Sequence, residues 1–129
     1  MQIESTTGAA TPPAGQGTRG QRLLAVGFVG TYPPTPCGIA TFTASLRQGM
    51  GLRRSGVVAL VDEPGAVCFG AEVVAELVRG SAASLEAAAA ALDEFDVVVL
   101  QHEFGIYGGE DGSEVVTLVR RLKVPMIVV

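Results

Sequence analysis

The sequence predicts an α/β fold, a parallel sheet covered by helices on both faces, and three observations carry that prediction. Short runs rich in Val, Leu and Ile alternate with stretches of helical periodicity, and alternation with short connections implies parallel strands and right-handed crossovers. Hydrophobic residues make up 48% of the chain but aromatic residues only 5%. Its core is therefore aliphatic, which suits strands buried under helices better than a β-sandwich. With 129 residues the chain can build one domain with a core, but not two.

Taken in order, residues 1–21 are polar and rich in Gly, Thr and Pro and read as a disordered leader. Such a composition buries too little apolar surface to offset the entropy of ordering. The domain spans residues 22–129. Residues 23–29 form an apolar run bounded by glycine and proline, the mark of a buried strand. In the loop over residues 30–38, three prolines forbid a helix. A helix starts at Ile39, with Ile39, Phe42, Leu46 and Met50 on its apolar face, and glycines and the Arg53-Arg54-Ser55-Gly56 stretch end it. Residues 57–61 are the second strand, and Asp62-Glu63-Pro64-Gly65 turns the chain.

Residues 72–78 suit either a helix or a strand, and their valine pairs lean toward strand. The alanine-rich segment 84–95 is a helix with Leu85, Ala88, Ala89, Leu92 and Phe95 on one face. Val97–Leu100 is the most strand-like segment of the chain. Asp111 and Glu114 have capping-box spacing ahead of a helical stripe of Val115, Val119 and Leu122. Residues 125–129 then open another buried strand. Closing on an apolar strand, whose bare edge would invite aggregation, predicts that the chain is the front part of a longer protein.

Composition also excludes several functions. The net charge is −4 and Lys123 is the single lysine, so the chain lacks the basic footprint that nucleic acid requires. Cys37 and Cys68 are the only cysteines and form no C-x-x-C pair; both are expected to be reduced thiols of a cytoplasmic protein. No apolar run approaches the length of a membrane span, and the leader has no signal-peptide core. Peripheral attachment at the inner face of the cell membrane is left open, although the cations Arg47, Arg53 and Arg54 are accounted for more simply as complements to a helix C-terminus.

Two loops could carry chemistry, because ligands of open α/β sheets bind beyond the carboxyl ends of the strands. The first is residues 30–38, where free amides and the helix dipole at Gly38 and Ile39 make an anion site and where Gly30 and Gly38 permit close backbone approach. A plain βα connection is the alternative, but such connections are normally shorter. Neither a G-x-G-x-x-G fingerprint nor a G-K-[ST] element is present. The second is Gln101-His102-Glu103-Phe104-Gly105-Ile106-Tyr107-Gly108-Gly109, which holds the only histidine. Without Cys or His partners at ligand spacing, zinc is disfavoured. His102 and Glu103 are adjacent on a strand end and point opposite ways, so they need not act as a dyad. A polar strand terminus closed by a glycine turn is the alternative; a neutral imidazole aimed into a cleft can instead hydrogen-bond a sugar hydroxyl or a developing charge. Asp62 and Glu63 could touch a ribose hydroxyl, but a solvated turn is the simpler account. No G-x-S-x-G elbow is present, and no local base sits beside Cys37 to make it a nucleophile.

Together, Val26-Gly27-Phe28-Val29-Gly30-Thr31-Tyr32-Pro33-Pro34, Cys37-Gly38-Ile39-Ala40-Thr41-Phe42 and Gln101-His102-Glu103-Phe104-Gly105 resemble the N-terminal domain of family 4 glycosyltransferases. The resemblance covers residues 23–129 and implies a Rossmann-like domain, the incomplete N-terminal half of a GT-B fold. It implies sugar transfer from a nucleotide-sugar donor to an unidentified acceptor with retention of configuration. The nucleotide sugar is then a co-substrate, with no separate cofactor and no metal. The family's glycine pair after the first strand matches Cys37 and Gly38, so a cysteine stands where glycine is usual. Its histidine after a central strand, which contacts the transferred sugar, matches His102, with Glu103 beside it. The resemblance further implies that the nucleotide is bound by a second domain and that this chain supplies the acceptor side. The alternative is a non-catalytic nucleotide- or phosphate-binding α/β module.

Overall fold

The computed structural model describes residues 23–103 and 105–129, so the expected leader over residues 1–21 lies outside the described residues, as does Phe104. Five strands are described, β1 (Ala25–Gly30), β2 (Arg54–Val61), β3 (Val73–Val78), β4 (Val97–Leu100) and β5 (Met126–Val128). The helices are α1 (Gly38–Gly49) between β1 and β2, α2 (Ala82–Leu92) between β3 and β4, and α3 (Glu114–Arg121) between β4 and β5. All strands pair in parallel in the order β3-β2-β1-β4-β5. The chain builds outward from β1 through β2 to β3, then crosses back to lay β4 on the other side of β1. The strand order therefore reverses between β1 and β4. The predicted Rossmann-like α/β class is the observed one.

Alternation along the strands splits the core into two layers. Val26 and Phe28 of β1, Val57 and Ala59 of β2 and Val99 of β4 form one, packed by Ala44 and Leu46 of α1. Val29, Val58, Leu60, Val98 and Leu100 form the other, against Leu85, Ala88 and Leu92 of α2 and Val115 and Leu118 of α3. Each large aliphatic side chain buried this way contributes about 1.5–3 kcal/mol relative to exposure. Gly27 and Gly56 are paired in register and leave a hollow in the second layer. Phe95 fills it, with ring atoms 3.0 Å and 2.6 Å from where their Cβ atoms would stand. The Arg54 guanidinium lies over the same ring, 5.4 Å from its centre.

Several expectations need correction. The first strand begins at Ala25, and Leu23 and Leu24 are exposed. On α1 the buried residues are Ala40 and Thr43, while Phe42 and Met50 are exposed. Small residues let the helix sit close to the sheet, and the Thr43 hydroxyl donates back to the Ile39 carbonyl at 2.8 Å instead of being left unpaired. The ambiguous middle segment is the edge strand β3, and α2 starts before residue 84, capped by Ser81. Asp111 and Glu114 form no capping box: α3 has no side-chain N-cap bond, and Asp111 sits at φ 53° in the short 3-10 turn Glu110–Gly112. Leu118, not Val119, is the fully buried residue of α3. Among the described residues β5 pairs only with β4, so Ile127 and Val128 are exposed on an edge rather than buried.

Candidate functional site

The loops after β1 and β4 leave adjacent strands at the reversal of strand order, where open α/β sheets leave a crevice at their carboxyl edge. A cleft of about 510 Å³ occupies that place, within the range that holds small ligands. Cys37, Gly38, Ile39 and Phe42 form one wall and Gln101, Glu103, Gly105 and Ile106 the other.

The first wall is organised locally. A turn closes with the Thr35 amide donating to the Tyr32 carbonyl at 3.0 Å, and Tyr32 buries its ring in the α1-side core. Cys37, in extended conformation, is the N-cap of α1: its Sγ accepts from the Ala40 amide at 3.4 Å and lies 3.0 Å from the Thr31 hydroxyl. The cysteine in the glycine-pair position thus has a structural task, as serine or aspartate has at most N-caps. The Cys37 carbonyl accepts from the Thr41 amide, which leaves the amides of Gly38 and Ile39 as the donors of the first turn without an acceptor among the described residues. A Cβ added to Gly38 would meet no atom of the described residues within 4 Å, so this residue keeps the helix start clear. Gly30 differs from the expectation. Its missing Cβ makes room for Gln101 Cβ and Cγ, both 3.1 Å from that position, and for the Thr43 hydroxyl at 3.3 Å. It is a packing glycine inside β1 and is not among the residues that line the cleft.

The second wall is held by residues distant in sequence. Arg79, at the end of β3, donates from Nε to the Ile106 carbonyl at 2.5 Å and pairs with Asp62. Glu114, at the start of α3, accepts from the Gly108 and Gly80 amides, both at 3.0 Å. The Tyr107 hydroxyl donates to the Gln101 carbonyl at 2.6 Å. Burial pushes the Tyr107 hydroxyl well above the ordinary phenol range, so it remains a donor. Tyr107 belongs to the candidate loop itself, but neither Arg79 nor Glu114 was a candidate site residue. The only sequence signal for Glu114 was its capping-box spacing, which named the right residue for a different bond.

His102 and Glu103 diverge as neighbours on an extended strand end do. Glu103 lines the cleft, whereas His102 is exposed beside it, its ring 6.4 Å from that of Tyr107 and inclined by 21°. Of the sequence-predicted residues, Cys37, Gly38, Ile39 and Glu103 come together in the cleft; Gly30 lies behind it and His102 at its rim. Gln101, which opens the second candidate loop but was given no role of its own, is 5% exposed, lines the cleft, and has its side-chain Nε2 without a hydrogen-bond partner among the described residues.

Asp62, once a ribose-binding candidate, is engaged by Arg79, while Glu63 is exposed. Arg47 donates to the Ser55 hydroxyl and Arg54 to the Glu94 carbonyl. Among the described residues no group of three His, Cys, Asp or Glu side chains could hold a metal ion, and no helix is long and apolar enough to cross a membrane. Comparison with protein-family models, with curated proteins and with solved structures returned no match.

Proposed function

We propose that this chain is the acceptor-side domain of a retaining glycosyltransferase and that its cleft forms one wall of a sugar-transfer site. The observation that carries the reading is the convergence of both resemblance-bearing loops, those after β1 and β4, on one cleft at the reversal of strand order. The open amides of Gly38 and Ile39 supply fixed dipoles at the helix start. Glu103 faces the cleft, and the exposed imidazole of His102 stands at the rim, where a second domain bearing the nucleotide sugar would close. In this reading His102 contacts the transferred sugar, the protein works in the cytoplasm, and transfer requires the second, nucleotide-binding wall.

The test is sugar transfer by the complete reading frame across a panel of nucleotide sugars, followed by nucleoside diphosphate release. His102→Ala is expected to lower turnover by about a hundredfold, the scale of losing one group that stabilises transition-state charge. Unchanged turnover in that variant removes the role of His102. Absence of release from every donor removes the transferase reading, and rapid transfer by residues 1–129 alone removes the requirement for a second wall.

A further inference from the structure

The polar groups of the cleft are arranged for a different ligand from the one its helix start suggests. We infer that the cleft takes an uncharged polyhydroxylated ring, not a phosphate, and that Gln101 is the residue that reads it. This rests on the sugar-transfer reading and names the part of the substrate that sits on this wall.

Gln101 carries the argument. Its Cβ and Cγ fill the space above Gly30, which keeps the side chain in place, and the residue is 95% buried while Nε2 has no partner among the described residues. A buried amide donor without an acceptor is destabilising and rare in folded proteins. An oxygen atom of a ligand in the cleft would satisfy it, with the open Gly38 and Ile39 amides as further donors to the same molecule. Charge decides which oxygen. Among the described residues no lysine or arginine lines the cleft, and Glu103 does. A phosphate would meet its carboxylate as a like charge with no cation to offset it. A hydroxyl group can do both jobs, accepting from Gln101 Nε2 through its oxygen and donating its hydrogen to Glu103. Phe42, half exposed on the helix side, adds an aromatic surface against which the C–H face of a sugar ring can pack.

The test is a titration of the 15N-labelled chain with methyl α-glucopyranoside, methyl α-mannopyranoside and inorganic pyrophosphate. At least one hexoside is expected to shift the Gln101 side-chain amide and Gly38 backbone signals at lower concentration than pyrophosphate does. Gln101→Met retains the packing over Gly30 but removes the amide. It should weaken hexoside binding by about tenfold while melting at or above the temperature of the unliganded wild type. A purely structural glutamine would instead give a lower melting temperature with unchanged binding, and that result overturns the inference. So does preferential binding of pyrophosphate, or the absence of any shift with both hexosides. Glu103→Gln should weaken hexoside binding and strengthen pyrophosphate binding; the opposite pair of changes counts against the charge argument. Hexoside binding without nucleoside diphosphate release in the transfer assay leaves this inference standing and removes the transferase reading. Release by a chain whose cleft prefers pyrophosphate does the reverse.

Discussion

The two loops that face each other across the cleft are built on different plans. The loop after β1 is tied by its own residues: Cys37 bonds to Ala40 and touches Thr31, and Thr35 bonds to Tyr32. The loop after β4 is tied largely by residues that arrive from elsewhere, Arg79 from the end of β3 and Glu114 from α3, with Tyr107 closing back on Gln101. The first wall is consequently as stable as its own turn and helix start. The second is as stable as the packing of β3 and α3 around it.

That contrast predicts a ranking. Glu114→Ala should have the largest effect, about 2 kcal/mol by urea denaturation, because it strips two backbone amides of a charged acceptor at once. Tyr107→Phe should lower stability by about 1–1.5 kcal/mol, since it leaves the buried Gln101 carbonyl without its donor. Tyr107 also makes the second wall sensitive to alkali. Its folded hydroxyl is held above the unfolded value of about 10, so the stability it contributes is fully present below pH about 10 and is lost as pH rises further. Melting temperatures measured above that pH should fall more steeply for the wild type than for Tyr107→Phe. On the first wall, Cys37→Ala should remove only about 0.5–1 kcal/mol, and Cys37→Ser should equal or exceed the wild type, serine being a stronger N-cap than a thiol. If Cys37→Ala proves as damaging as Glu114→Ala, the distinction between a locally and a remotely supported wall fails.

The same contrast explains what could be read from the sequence. The strands at Ala25–Gly30 and Val97–Leu100 and the alanine-rich helix announce themselves through composition and period, which are local properties. So does the helix start at Gly38. The anchoring of the second loop depends on which residues the fold brings beside it, and nothing near Ile106 indicates that Arg79 will bind its carbonyl. Period also misled on α1. Ile39 and Phe42 recur at helical spacing, yet they face the cleft, while Ala40 and the hydrogen-bonded Thr43 face the sheet. Hydrophobic period cannot separate an apolar ligand wall from an apolar core face. Gln101 was hidden for the opposite reason, as an ordinary polar residue whose significance lies in its burial and its unpaired amide.

The pairing of β1 with β4 sets when the cleft can exist as the protein folds. Ala25 and Asp96, 71 residues apart, are joined by a 2.8 Å hydrogen bond where these strands start, and the two cleft walls follow from the far ends of the same strands. The turn of α1 can form early and alone, but Gln101 and Glu103 reach it only after α1, β2, β3 and α2 have been threaded between them. Contacts of such long sequence separation cost loop-closure entropy and slow folding. A partly folded chain without β4 in place therefore has no binding site. Any molecule that occupies the cleft selects the finished fold over every intermediate lacking that strand, and its presence would be felt as slower unfolding and protection from proteolysis.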